Sequence, residues 1–457
     1  MRAKDAETEE NNRTPVHFCV LLDNSGSMDM NGKIKNVKNS LKHIIDILGL
    51  LDRISIIAFS DVVEKVVERA TVDNNQHKIA ICNRIERIYP DGGTNLSAGI
   101  LNARGCLQNG SGEKQGILLL TDGHANQGVT DEKGILRIVG SIIEEFPGTS
   151  ISCVGYGLDH NAEMLRKIAS VGGGSYNIVQ DAEDVATVFG DILGGLSSCA
   201  FQQVEVKLPP GWKQITKYGE EGASQIIIGD LQTGNEAMIV ARKDNNVTDV
   251  VESVHISAFD IFKTRPFNTT VEICNELTEN NRRQGKIAIL RCKVVEIIEE
   301  VRNGWTPCIN IKVQTTKADI IRLKTEYTSP VLDLLLEELV FIENNSKELN
   351  CNHTNLQLSS VFSQHEAVIG TTRGIWQTPM NMRNNDPEDT NCNSSYDDPG
   401  HMLPSPNITA CFSNSVQRRT SEQVRSYILP PPPPATRQIA VIMPNYSESG
   451  QSLDTDI

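Results

Sequence analysis

No stretch of this chain holds the roughly 18 to 20 consecutive apolar residues that a membrane helix needs, because Lys, Asp, Asn or Glu interrupts every apolar run. Membrane insertion is therefore not expected. The opening segment MRAKDAETEENNRTP carries acids where a secretory leader carries its apolar core, so a cytoplasmic protein is the expectation. No C-x-x-C pair occurs among the eleven cysteines, which run from Cys19 to Cys411. That spacing offers no structural zinc site, and in a cytoplasmic chain such thiols read as reduced. A G-x-x-x-x-G-K-S/T loop is also missing, so any nucleotide-driven motor would be a separate chain. Positive charge is short as well. A formal net charge of −15 disfavours nucleic acid and anionic membrane surfaces as main partners, and suits divalent cations or basic protein surfaces.

What the chain does have is length and alternation. At 457 residues it exceeds a single compact core, and two or three units with flexible ends are expected. Residues 1–14 read as a disordered acidic N-terminus. From 15 to 196 the runs VHFCVLLD, RISIIAFS, GILLLTDG and TSISCVGYG are continuous, β-branched and strand-sized, as strands covered on both faces are. Helical spacing lies between them: Ile34, Val37, Leu41, Ile44, Ile45 and Leu48, then Ile81, Ile85 and Ile88, then DEKGILRIVGSIIEEF and NAEMLRKIASVGG. Alternating strands and helices predict an α/β unit, doubly wound around a mainly parallel sheet. RISIIAFSDVVEKVVERA breaks the rule with a hairpin and one antiparallel edge strand, and DAEDVATVFGDILGGL closes the unit as a helix ending at Gly194-Gly195.

From 197 to 376 the texture is of short, partly alternating runs and then helices. A β-sandwich to about Cys274 is expected, followed by a helix pair marked by Ile287 to Val301 and by SPVLDLLLEELVFIE. Residues 377–457 lose periodicity and read as a disordered Asn- and Pro-rich tail. Its Pro430 to Pro434 would form a short polyproline II rod, either a spacer or a ligand for a proline-reading domain.

In a doubly wound sheet, ligands sit beyond the carboxyl ends of the strands. Two predicted strands end there in an acid, Asp23 and Asp122, and the tight loop DGGT adds Thr94 at the start of a helix. With Ser25 and Ser27 these make a set of hard oxygen donors free of His and Cys, which favours Mg²⁺ or Mn²⁺ over zinc. Only two of the five groups are charged, so a bound cation would draw an acidic side chain from outside. Taken singly, Asp23 as a helix cap and Thr94 as an N-cap are equally plain readings. Asn24, Asn95 and His124 lie beside the set as candidate partner contacts, although turn formation accounts for both asparagines too. Asp29 and Asp91 flank it and read as solvated loop acids.

The D-x-S-x-S start, the Thr of the G-G-T loop and the later T-D-G resemble the metal-ion-dependent adhesion site of von Willebrand factor type A domains, and the likeness covers residues 15 to 196. It implies direct metal contacts from Ser25 and Ser27, a direct or water-bridged one from Thr94, and largely water-mediated ones from Asp23 and Asp122. The wider order of elements loosely resembles plant RING-bearing type A ubiquitin ligases and related bacterial and protist proteins, without their Cys/His zinc module. The resemblance implies a non-enzymatic module in which Mg²⁺ is completed by an Asp or Glu of a partner protein. An adaptor subunit of a ubiquitin-transfer or ATPase complex is a second reading, and a Mg²⁺-dependent hydrolase a third.

Overall fold

A computed structural model describes residues 13–344, apart from breaks of which 244–252 is the longest, and a few positions beyond. The expected disordered ends, with Pro430 to Pro434, lie outside the described residues except for Arg13 and Thr14 and the isolated Thr420 and Gln423.

The first unit runs β1 (Val16–Asp23), α1 (Lys33–Ile47), β2 (Arg53–Phe59), β3 (Val63–Thr71), α2 (Asn75–Glu86), α3 (Leu96–Arg104), β4 (Lys114–Thr121), α4 (Glu132–Glu145), β5 (Ser150–Tyr156), α5 (Ala162–Gly172), β6 (Gly173–Val179) and α6 (Ala182–Ser197). Its six strands lie in the order β3-β2-β1-β4-β5-β6, with β3 alone antiparallel to its neighbour. β1 and β4 are buried along their whole length. Period-two alternation splits β1 between two cores: Phe18, Val20 and Leu22 pack toward Val37, Leu41 and Phe189, while Cys19 and Leu21 pack toward Ile100, Ile135 and Ile168. Covering on both faces is why these strands read as unbroken apolar runs. The winding reverses between β1 and β4, and a crevice opens at the carboxyl ends of two strands there.

Two expectations for this unit need correction. Gly173, at φ 66°, caps α5 as its sequence suggests, but a sixth strand, GGSYNIV, comes at once after it. α6 does not stop at Gly194-Gly195. Ser198 N donates to Gly194 O at 3.0 Å and the Ser197 hydroxyl does so at 3.1 Å, so the last turn is closed by serines and the helix reaches Ser197.

Beyond it come β7 (Cys199–Lys207), β8 (Trp212–Lys217), β9 (Glu220–Glu221), β10 (Gln225–Gln232), β11 (Ala241–Lys243), β12 (Ser253–Asp260) and β13 (Arg265–Glu272). They form two antiparallel sheets, β10-β7-β12-β13 and β11-β8-β9, with a small core around Val204 and Leu231. Three helices come next where two were expected: α7 (Glu279–Arg302), α8 (Pro307–Glu326) and α9 (Pro330–Asn344). Val294, Ile298, Val313, Ile320, Leu335 and Leu339 form their common core, and α7 also packs on β8. Two ion pairs tie these parts to the first unit. Lys114 of β4 meets Asp230 of β10 at 2.5 Å, and Arg302 of α7 meets Glu163 of α5. Among the described residues no helix is long and apolar enough to cross a membrane, and the seven described cysteines are all free, Cys19 and Cys153 fully buried.

Candidate metal centre

β1 delivers Asp23 to the crevice, where its carboxylate is fully buried. Oδ1 accepts from Ser25 N at 2.8 Å and Oδ2 from the Thr121 hydroxyl at 2.5 Å. Thr121 can reach because it follows Leu120, the register partner of Leu22, and so stands beside Asp23 on the same face. Burial is the largest influence on Asp23 and raises its pKa, the Thr121 and Ser25 hydrogen bonds oppose it, and the Asp122 charge adds to it, leaving the group at about 6.

After Asp23 the chain turns through an extended Ser25 (φ −60°, ψ 161°) into a 3-10 segment, Gly26–Gly32. The turn brings Ser25 Oγ within 3.1 Å of Ser27 Oγ. Ser27 Oγ in turn donates to Asp122 Oδ1 at 2.6 Å. Asp122 Oδ2 receives the ammonium of Lys33 at 2.6 Å. Thr94 is buried in the facing loop, and its backbone N–H donates to Asn126 Oδ1 at 2.8 Å. Its hydroxyl joins the others: a Cβ placed on Gly123 would lie 3.7 Å from Thr94 Oγ1 and 3.9 Å from Ser27 Oγ. Ser25, Ser27 and Asp122 are thus linked in one chain of oxygens with Thr94 beside it, and Asp23 joins through the backbone of Ser25.

Backbone hydrogen bonds brace the loops that carry them. Asn24 N donates to Phe59 O (3.0 Å), Gly26 N to Gly92 O (3.1 Å), Asp91 N to Asn24 O (2.8 Å), Asn95 N to Ser60 O (3.1 Å) and Asn126 N to Thr94 O (3.1 Å). Gly92 has φ 71°, a turn conformation that favours glycine. Asp61 holds the same loop through Gly93 N at 2.6 Å.

The three flanking candidates fare differently. Asn24 spends its amide on Tyr89 O at 3.0 Å, and Asn95 caps α3 through Ala98 N at 3.1 Å, so both asparagines brace the loops. His124 is exposed at the rim, as are Asp29 and Asp91. Sequence reasoning did not single out Lys33, Thr121, Asn126 or Asp61. Two of them left a signal: Thr121 is the threonine of the T-D-G motif, and Lys33 is a cation at the first position of a helix, where the helix dipole disfavours it.

The residues present fit a hard divalent cation. Asp23, Ser25, Thr94 and Asp122 are each less than 5 % exposed, and two carboxylates against one ammonium leave this buried cluster with an excess negative charge. Among the described residues no three side chains drawn from His, Cys, Asp and Glu converge, so the site depends on its hydroxyls, as hard-cation sites can and thiolate or imidazole zinc sites do not.

Residues 18–191 match the family model of the von Willebrand factor type A domain. This segment is a von Willebrand factor type A domain. Such domains are in general protein-interaction modules with a divalent-metal site. Two curated relatives are uncharacterized proteins: sll0103 of Synechocystis, 26 % identical over 51 % of this chain, and YfbK of Escherichia coli, 28 % identical over 48 %. The alignments span 58 % and 38 % of those relatives' own lengths. A solved von Willebrand factor type A structure from Catenulispora acidiphila shares the fold at TM-score 0.51 and 18 % identity, over 68 % of this chain and 80 % of that one. That likeness extends past the type A domain itself.

Proposed function

We propose that the type A domain is a cation-dependent capture module in which Asp23, Ser25, Ser27, Thr94 and Asp122 hold Mg²⁺ or Mn²⁺, and an Asp or Glu of a partner protein completes the ion's coordination. The observation that carries this reading is the convergence of buried hydroxyl and carboxylate oxygens where β1 and β4 end. The cation would act as a Lewis acid for the incoming carboxylate. Asp23 and Asp122 supply charge, the serines and Thr94 supply neutral donors, and Thr121 orients Asp23. His124 stands at the exposed rim, where a partner would pass.

Binding is favoured over hydrolysis by the state of His160, a histidine close enough to feel the charge on Asp122. It is buried, its Nε2 bonds Tyr176 Oη at 2.6 Å, and burial holds its pKa down at about 4. With Nε2 on Tyr176 and a pKa far below neutrality, this imidazole is a weak base held away from solvent. An adaptor subunit beside ubiquitin-transfer or ATPase machinery would use the same capture surface. The cytoplasm suits the free thiols of this chain.

The test is Mn²⁺ titration of the full chain by calorimetry, with capture of partners in Mg²⁺ against EDTA. Ser25→Ala and Thr94→Ala are expected to weaken Mn²⁺ roughly tenfold or more while leaving the fold intact, in line with the loss of a first ligand or its orientation. Partner capture that survives both EDTA and these substitutions would overturn the proposal.

A further inference from the structure

We propose that Lys33 is a built-in counter-cation of this site, which weakens the domain's hold on the metal alone and strengthens its demand for a partner carboxylate. The inference rests on the metal-site reading above and adds a residue that neither the motif nor the family match assigns.

Lys33 is the first residue of α1. It follows Gly32 in the left-handed conformation (φ 67°), has no side-chain cap ahead of it and no acid in its helical turn. A helix N-terminus carries partial positive charge, so an ammonium there is held against a local penalty. The compensation comes from across the crevice. The Lys33 side chain is 11 % exposed and its Nζ lies 2.6 Å from Oδ2 of a fully buried Asp122 side chain. The two oxygens of Asp122 are thereby divided, Oδ2 to Lys33 and Oδ1 to the Ser27 hydroxyl at 2.6 Å. Lys33 thus orients the carboxylate as well as neutralising it. Gly157 stands close behind the ammonium: a Cβ there would lie 3.8 Å from Nζ, in van der Waals contact with it.

The charge balance gives the consequence. Asp23, Asp122 and Lys33 together carry one negative charge when both acids are ionised. A divalent cation turns that into one positive charge, which an external carboxylate cancels. Without Lys33 the two acids alone would match the cation's charge, and the demand for a further anion would rest on coordination and no longer on net charge. Metal and partner are therefore coupled through Lys33: the metal binds weakly alone and more tightly when a carboxylate arrives, and by linkage the reverse also holds.

The probes are Mn²⁺ alone and Mn²⁺ with acetate as the simplest carboxylate, titrated into the full chain by calorimetry. Removing one charge in contact with an ionisable group shifts its equilibria by about tenfold or more. Lys33→Met is therefore expected to tighten Mn²⁺ roughly tenfold and to reduce the gain that acetate gives the wild type. Lys33→Arg, which keeps the charge, is expected to restore both wild-type values. Lys35→Met, which removes an exposed charge one residue pair further along α1, is expected to change neither by more than about twofold, because solvent screens it. Mn²⁺ affinity that is equal or weaker in Lys33→Met, with Asp122→Asn still abolishing binding, overturns the role of Lys33 and leaves the metal site standing. Failure of the wild-type chain to bind Mn²⁺ overturns both.

Discussion

Lys114→Met should expose how the type A domain is joined to the antiparallel sheet beside it. Lys114 opens β4, is 1 % exposed, and pairs with Asp230 of β10 at 2.5 Å. Its ammonium also donates to Gly148 O, but that carbonyl keeps a second donor in Gln202 Nε2 at 3.5 Å. The main loss is therefore at Asp230, whose side chain is 10 % exposed and would be left without its partner. Removing one member of a buried pair costs about 3 to 5 kcal/mol, and the residual exposure of Asp230 argues for the lower end, about 3 kcal/mol. Replacing both members with apolar residues is commonly close to neutral, so Lys114→Met/Asp230→Leu should regain most of the loss. Urea unfolding of the full chain, monitored by far-ultraviolet circular dichroism, measures all four corners of the cycle. A single-variant cost below about 1 kcal/mol, or a double variant equal to the sum of the singles, would refute the reasoning.

Acid should weaken the fold through His17. Burial first, and then the Arg69 guanidinium, hold its pKa at about 4 against an ordinary value of 6.5, outweighing the hydrogen bond to Gln115. A histidine lowered in this way stabilises the folded chain fully above 6.5 and loses that contribution as pH falls toward about 4. At about 1.4 kcal/mol per pKa unit the loss is on the order of 3 kcal/mol. Urea midpoints across that interval should fall further for the wild type than for His17→Gln, and parallel curves would contradict the assignment. Gly155→Ala should destabilise by about 1 to 3 kcal/mol, because its Cβ would lie 2.1 Å from His160 Nε2 and displace the imidazole from Tyr176. Thermal melts check this, and His160→Ala in the same chain should recover much of the loss; an unchanged melting temperature for Gly155→Ala would count against the packing described.

The parallel strands and the oxygen cluster were legible for one shared reason. A strand covered on both faces is apolar along most of its length, so the point where the central runs CVLL of β1 and ILLL of β4 give way to polar residues marks the edge of the sheet, and Asp23 and Asp122 stand there. β6 escaped because Gly173, Gly174, Ser175 and Asn177 dilute its pattern. α8 escaped because its buried stripe of Ile309, Val313, Ile320 and Leu323 is blurred by Ile311 and Ile321, which are more than half exposed. Lys33 was not legible as a partner of Asp122, since the two lie 89 residues apart and nothing in either local pattern announces the other. Asn24 and Asn95 were read for what their amides could offer a partner, yet Asn24 Nδ2 is committed to Tyr89 O of the facing loop and Asn95 Oδ1 to the first turn of α3.

The backbone bonds that join Asn24 to Phe59, Gly26 to Gly92, Asn95 to Ser60 and Asn126 to Thr94 make the crevice a keystone arch, in which each loop is the abutment of another. Loops tied to one another in this way are held by the sheet itself, so a ligand entering the crevice would need little further ordering of the chain. The same mutual support makes damage spread. A substitution that frees one loop loosens the others, and variants far along the sequence from Asp23 would then share one phenotype.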